Sequence, residues 1–321
     1  MRLVSLVIDD RPRVGLIAGD EVVDLSDPAV GLPAKMLDLL ALGQDARSAL
    51  DRASASSARR IPLEVAQLCA PVPRPPAFLG IARNYGAHSK EMGTEPPEHQ
   101  TWFTKLSTCV VGPGEAIEIP RASEQVDYEG ELALVIGRRC RDVPVERALE
   151  VVAGYTVVND VSVRDWQRRT PTMFLGKSFD THGPMGPWMV TADEISDPQD
   201  LAVRTIVNGE VRQDGMTSDM IFTCAQMIAL LSTVCTLEPG TVLATGTPAG
   251  VGAASDPPKW LVAGDVVTVE VEGVGALTNP VTISGGEPPA IGNLDEEGEP
   301  VGIGPRSAVP PRTAPIGPAH S

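Results

Sequence analysis

Hydrophobic and polar positions divide the chain into short runs with two different periods. Apolar stretches at 3–8, 14–18 and 21–25 are broken by Asp9-Asp10-Arg11-Pro12 and Gly19-Asp20, which reads as three short strands joined by turns. Helical spacing follows over 34–42 and 46–53, with Gly43 as the stop between them. Pro71-Val72-Pro73-Arg74-Pro75-Pro76 is a stiff connector, because each proline fixes φ and disfavours helix before it. Beyond it, 77–81 reads as a strand, and 82–101 as a long polar segment of the kind that forms lids. The run 132–136, closed by Gly137, reads as a buried strand. Pro144 opens a helix to about 152, and 154–159 is a further strand. Ser162-Val163-Arg164-Asp165 has the form of a capping box for a short helix carrying Trp166 and Gln167. Asn208-Gly209 between 205–207 and 210–212 predicts a hairpin. Ser218 or Asp219 is placed to cap an apolar helix running to about 233. Strands are expected at 241–244, 266–271 and 277–283. From 284 onward glycine, proline and acidic residues dominate, which predicts a disordered tail over 284–321. The pattern thus predicts an N-terminal module over 1–70 serving packing or dimerisation, a main domain over 71–283, and the tail.

The 321 residues are enough for roughly two domains and a sizeable core. A net charge of −16 argues against a nucleic-acid or anionic-membrane surface, since both need basic patches. No apolar run approaches the ~18 residues that would span a membrane, and Met1–Ser5 lacks the shape of a signal peptide. Cys69, Cys109, Cys140, Cys224 and Cys235 show no C-x-x-C spacing and read as reduced thiols, which points to the cytoplasm.

Candidate chemistry concentrates in a few places. Glu129 and Glu131 lie two apart at the start of the 132–136 strand, so their side chains share a face. Two anions at the edge of a core repel one another and lose hydration; a hard cation such as Mg²⁺ or Mn²⁺ would relieve both. A solvent-facing strand start explains the same residues without a metal. Asp160 ends the neighbouring strand and adds a third carboxylate, or else serves as a turn or N-cap residue. His88 and Glu91 are three apart, so on a helical turn the carboxylate orients the imidazole as a base; the alternative is a surface pair. Lys177 sits among apolar neighbours and suits an anionic substrate or a strand edge. Leu175-Gly176-Lys177-Ser178 is not a phosphate loop, since Pro171 stands where that motif needs glycine. Gly246–Gly252 does not open a helix and is not a dinucleotide fingerprint. His182 in its tight turn reads as structural.

Taken in order, these stretches resemble the fumarylacetoacetate hydrolase superfamily, in particular its acylpyruvase-like and diketo-sugar-acid hydrolase branch. The resemblance rests on Arg83-Asn84-Tyr85 with His88 and Glu91, Tyr128-Glu129-Gly130-Glu131-Leu132, Asn159 to Gln167, Gly176 to Thr181, Val207 to Glu210 and Thr245-Gly246-Thr247-Pro248. It implies a β-rich α+β fold built on a mixed β-sandwich or roll, with a small N-terminal α/β module, usually in a homodimer. It implies Mg²⁺ or Mn²⁺ on Glu129, Glu131 and Asp160, and water activated by His88 and Glu91. Gln167 and Lys177 become catalytic pocket residues, and Arg83, Tyr85 and Thr247 contact substrate. The expected reaction is hydrolysis of a carbon–carbon bond in a small β-diketo acid. Oxaloacetate-type decarboxylation and isomerisation of a hydroxy-dienoate diacid are the alternatives, and a non-catalytic metal-binding scaffold is a third. His182, where the family often carries an apolar residue or cysteine, and the tail are departures from its pattern.

Overall fold

The computed structural model describes residues 1–285 and two further two-residue strands, Asn293–Leu294 and Pro300–Val301. The expectation of a disordered tail otherwise lies outside the described residues. The fold is mixed and strand-rich, without a closed barrel. One sheet runs through the middle of the molecule. Its order begins Arg60–Pro62, Glu21–Asp24, Arg11–Ala18, Arg2–Ile8 and Gly183–Thr191, and continues with Val152–Asn159, Gly130–Ile136, Val242–Ala244, Phe78–Ala82 and Thr101–Lys105. A second sheet, ordered Glu210–Met216, Ala202–Val207, Val266–Val271, Gly275–Ile283 and Ile117–Ile119, packs against its face. The strands at residues 1–25 are not isolated, since Arg2 and Leu3 pair with Val190 and Met189.

Gly130–Ile136 is central, and every residue in it is buried. Leu132, Leu134 and Ile136 enter one apolar cluster together with Val203 and Val269 of the second sheet, while Ala133 and Val135 enter another on the opposite face. Both faces are covered, which is why this strand reads as a continuous apolar run without alternation. The Asn208-Gly209 turn has φ values of 52° and 81°, the double positive φ of the expected hairpin.

The helix expected after Pro144 is present as a 3₁₀ helix, Val145–Val151. Two cap expectations fail. Ser162 makes no capping box: Ser162–Val163 is a short strand paired with Val126–Asp127, and the Ser162 hydroxyl donates to the Asp160 carbonyl at 2.9 Å. Strand pairing takes the backbone that a cap would have used. Neither Ser218 nor Asp219 starts the long helix, because Thr217–Asp219 is a 3₁₀ turn. Cys224–Val234 is capped by Thr223, whose hydroxyl accepts from the Gln226 amide while the Gln226 side chain accepts from the Thr223 amide.

Candidate active site

Strand register assembles the acid cluster. Gly130 pairs with Asn159 in the antiparallel ladder, so Glu129 and Asp160 stand opposite each other one step beyond it. The Asp160 amide donates to the Glu129 carbonyl at 2.8 Å, and the Asn159 side chain accepts from the Glu129 amide at 3.0 Å. Glu131 lies two residues along on the same face. Carboxylate oxygens of Glu129, Glu131 and Asp160 all lie within 4.8 Å of one another, and all three residues are buried.

Cations bracket this cluster. Lys177 Nζ contacts Glu129 Oε2 and Asp160 Oδ2, each at 2.6 Å. It lies 4.7 Å from the centre of the Phe103 ring. The Arg164 guanidinium contacts Glu129 at 2.7 Å and Asp127 at 2.8 Å, and also donates to Gln167 Oε1 at 3.0 Å. Lys105, with no exposed side-chain surface, reaches Asp160 Oδ1 at 2.7 Å and the Lys177 carbonyl at 2.5 Å. Four buried carboxylates (Asp127, Glu129, Glu131, Asp160) thus face three buried cations (Lys105, Arg164, Lys177). The unbalanced charge falls on Glu131, which accepts the Gly246 amide at 2.8 Å. Burial, then repulsion from Asp160 and Glu129, pushes the Glu131 carboxyl well above the usual range. Burial also works against ionisation of Glu129, but Arg164 and Lys177 outweigh it and hold that carboxyl well below the usual range. An oxygen-only donor set short of positive charge fits a hard divalent cation on Glu129, Glu131 and Asp160.

The dyad forms the facing wall. His88 and Glu91 lie on Gly86–Glu91, and Nδ1 meets Glu91 Oε1 at 2.8 Å. The other Glu91 oxygen accepts the Gly250 amide at 2.8 Å. Asp127 holds the same 250–253 turn by accepting the Gly252 and Ala253 amides at 2.7 and 3.0 Å. With Nδ1 committed, Nε2 is the ring nitrogen of His88 left over. A cavity of ≈ 370 Å³ joins His88 to Glu129, Glu131, Arg164, Gln167, Lys177 and Thr247.

Arg83 also lines this cavity. Tyr85 does not: it is 1% exposed, packs in the apolar cluster of Leu132 and Leu134, and its hydroxyl has no hydrogen-bond partner among the described residues. The Thr247 hydroxyl donates to the Gly130 carbonyl at 2.9 Å and accepts from Gln213 at 2.7 Å, so it braces the strand start as well as facing the cavity. His182 is buried with Nε2 at 2.9 Å from the Glu118 carbonyl, away from the cavity. Burial pushes it down to about 3, so its ring is neutral.

Lys105 and Asp127 were not singled out from the sequence. A signal existed for each. Phe103 and Lys105 are both buried around an exposed Thr104, so strand alternation turns that lysine inward. Asp127 stands two before Glu129, continuing the same alternation.

All five cysteines are free, and no helix among the described residues is long and apolar enough to cross a membrane. Residues 77–282 match the family model described as fumarylacetoacetate (FAA) hydrolase C-terminal. The chain is 40% identical over 287 residues to a mitochondrial oxaloacetate tautomerase of Xenopus laevis, covering 88% of this chain and 90% of that protein. A fumarylacetoacetate hydrolase structure from Exiguobacterium antarcticum superposes with a TM-score of 0.78 at 39% identity, over 88% of this chain and 99% of that one. A maleylpyruvate hydrolase from Sphingobium sp. SYK-6, in complex with manganese (II) ion and pyruvate, gives 0.75 at 32% identity, over 88% and 99%. The family model spans the acid cluster, His88 and Glu91 and more than half of the chain, and the chain belongs to the fumarylacetoacetate hydrolase family.

Proposed function

We propose that this chain catalyses proton transfer at C3 of a small 2-oxo acid, interconverting its keto and enol forms. The observation that carries this reading is the His88–Glu91 dyad facing the buried acid cluster across one small cavity. His88 Nε2 takes a proton from C3, and Glu91 steadies the imidazolium through Nδ1. The electron pair of the broken C–H bond moves into a C2–C3 double bond, and negative charge builds on the 2-oxo oxygen. Mg²⁺ or Mn²⁺ held by Glu129, Glu131 and Asp160 would supply positive charge to that oxygen. Lys177 adds a fixed ammonium beside the same site, and Gln167, bonded to Arg164, orients the substrate. Return of the proton to the oxygen gives the enol and resets the dyad.

Carbon–carbon hydrolysis of a 2,4-dioxo acid is the second reading. There the dyad deprotonates a water, the hydroxide adds to the distal carbonyl, and the C3–C4 bond breaks to leave a pyruvate-type enolate. The likeness to maleylpyruvate hydrolase supports it. Tautomerisation leads because the 40%-identical relative is an oxaloacetate tautomerase, and because it asks only for the base that is present. We further place this chemistry in a cytoplasmic homodimer, with which five free thiols are compatible.

The test is solvent-deuterium exchange at C3 of oxaloacetate, followed by NMR with Mg²⁺ or Mn²⁺ present, alongside acetate and CO₂ assays on acetylpyruvate and oxaloacetate. Enzyme-dependent exchange is expected, and His88→Ala should slow it by about 10²–10⁴-fold while metal binding, read by titration calorimetry, persists. Acetate release from acetylpyruvate without accelerated exchange establishes the second reading instead. CO₂ release alone points to decarboxylation.

A further inference from the structure

The hairpin of Ala202–Val207 and Glu210–Met216 does not line the cavity, yet its register delivers two buried polar residues to the start of the central strand. Thr205 and Gln213 stand opposite each other in its ladder, and they are 0% and 1% exposed. Both meet Gly130, the residue between Glu129 and Glu131. The alternation that turns those two carboxylates to one face turns position 130 to the other, toward the second sheet. A Cβ there would overlap the Thr205 hydroxyl oxygen and sit 2.8 Å from Val269 Cγ1. Only glycine lets the two sheets meet this closely beneath the acid cluster.

On one edge the Gly130 peptide groups have no strand to pair with, because Val242–Ala244 joins the central strand only from Ala133 to Val135. Side chains take that strand's place. The Gly130 amide donates to Gln213 Oε1 at 2.9 Å. Gln213 Nε2 donates to Thr247 Oγ1 at 2.7 Å and to the Pro248 carbonyl at 2.8 Å. The Thr247 hydroxyl closes the ring by donating to the Gly130 carbonyl at 2.9 Å. Gln213 thus spends its oxygen and both amide hydrogens inside the core.

We propose that Gln213 is a positioning residue for the candidate cation site: from the second sheet it fixes the Gly130 peptide, and so sets the spacing of Glu129 and Glu131. This rests on the cation reading of the acid cluster and not on which reaction follows. Arg164 and Lys177 hold Glu129, and the Gly246 amide holds Glu131, from the carboxylate ends. The Gln213 ring holds both from the backbone end. Tilting the peptide between them would change the separation of their oxygens, to which a hard cation with fixed oxygen distances responds directly.

The test is calorimetric titration of the metal-stripped full chain with Mn²⁺, with urea midpoints measured on the same metal-free proteins. Wild-type protein should bind Mn²⁺, and E131A should abolish binding. Q213M keeps the length of the side chain and removes its three hydrogen bonds, and it should bind Mn²⁺ about 10–100-fold more weakly. T247V opens the same ring at its other side chain and should shift affinity in the same direction, which keeps the proposal testable if Q213M does not fold. T247S retains the hydroxyl and should hold Mn²⁺ within about threefold of wild type. The loss in Q213M/T247V should be close to that of the larger single variant, because the two residues act as one ring. A Gln213 that only supports the fold would lower the urea midpoint and leave Mn²⁺ affinity within about threefold of wild type, which overturns the proposal. T247S weakened as much as T247V overturns it too. Wild-type protein that binds no Mn²⁺ removes the cation reading and the positioning role together. Binding that is lost in E131A and untouched in Q213M removes the positioning role alone.

Discussion

The two walls of the cavity are held by different means. The acid-cluster wall belongs to the central sheet: Gly130–Ile136 is paired on both sides, and its carboxylates are met by Lys105, Arg164 and Lys177 inside the core. The dyad wall is one six-residue helix, too short to be stable alone, and Glu91 ties it to the 250–253 turn through a single amide. Asp127 reaches both, gripping Arg164 on one side and the Gly252 and Ala253 amides on the other. The difference separates two tasks. In the proposed reaction, charges that would hold a cation need fixed spacing, whereas a base that would meet the substrate needs a wall that can open to admit it.

If that division is right, a substitution under the acid cluster should act on stability first. Lys105→Met removes one ammonium from a fully buried pair and leaves Asp160 and the Lys177 carbonyl without it. Breaking a buried pair from one side costs about 3–5 kcal/mol, so the urea midpoint of metal-free protein should fall accordingly. A loss below about 1 kcal/mol would mean that water or Lys177 takes over, and that the wall is less rigid than its packing implies.

On the dyad wall the balance reverses. Glu91→Gln keeps an oxygen for the Gly250 amide but removes the charge that, in the proposed reaction, would steady the imidazolium. The expected result is a kcat lower by about tenfold, KM little changed, and stability within about 1 kcal/mol of wild type. Equal losses in kcat and in the urea midpoint would show that the helix belongs to the core after all.

The same contrast explains what was legible in the sequence. Glu129 with Glu131, and His88 with Glu91, announce themselves because both partners sit on one local period, two for a strand and three for a helical turn. Asp160 was legible as a strand end. Lys105 was not, because its meaning depends on an acid 55 residues away, and only pairing brings them together. Ser162 misled for the reverse reason: a good local cap signal was overridden when its segment paired with Val126–Asp127. Tyr85, placed in the site by the family resemblance and not by any local pattern, packs in the apolar cluster. The pairing of Arg2–Ile8 with Gly183–Thr191 has no local signature at all.

The expected effect that is smallest at pH 7 concerns a histidine that the core treats unlike His88. Among the described residues His182 has no carboxylate partner; its Nε2 faces the Glu118 carbonyl and its Nδ1 has no hydrogen-bond partner. Burial lowers it to about 3 from 6.5, with Lys105 also opposing a second positive charge. The sign follows directly. Unfolded chains take up a proton as pH falls through 6.5, the native state does not until about 3, and stability therefore declines across that window and no further below it. His182→Gln keeps an amide donor for Glu118 and removes the titration. At pH 7 the two proteins should be within about 1 kcal/mol of each other, since the ring is neutral in both states. Between pH 6 and 4 the variant should lose stability less steeply, by up to about 1.4 kcal/mol per pH unit, read from urea midpoints along the series. Parallel slopes would show that a proton does reach His182 in the native state, and so that water enters the core behind the acid cluster. The rigid wall would then be softer at its back than at the face it turns to the cavity.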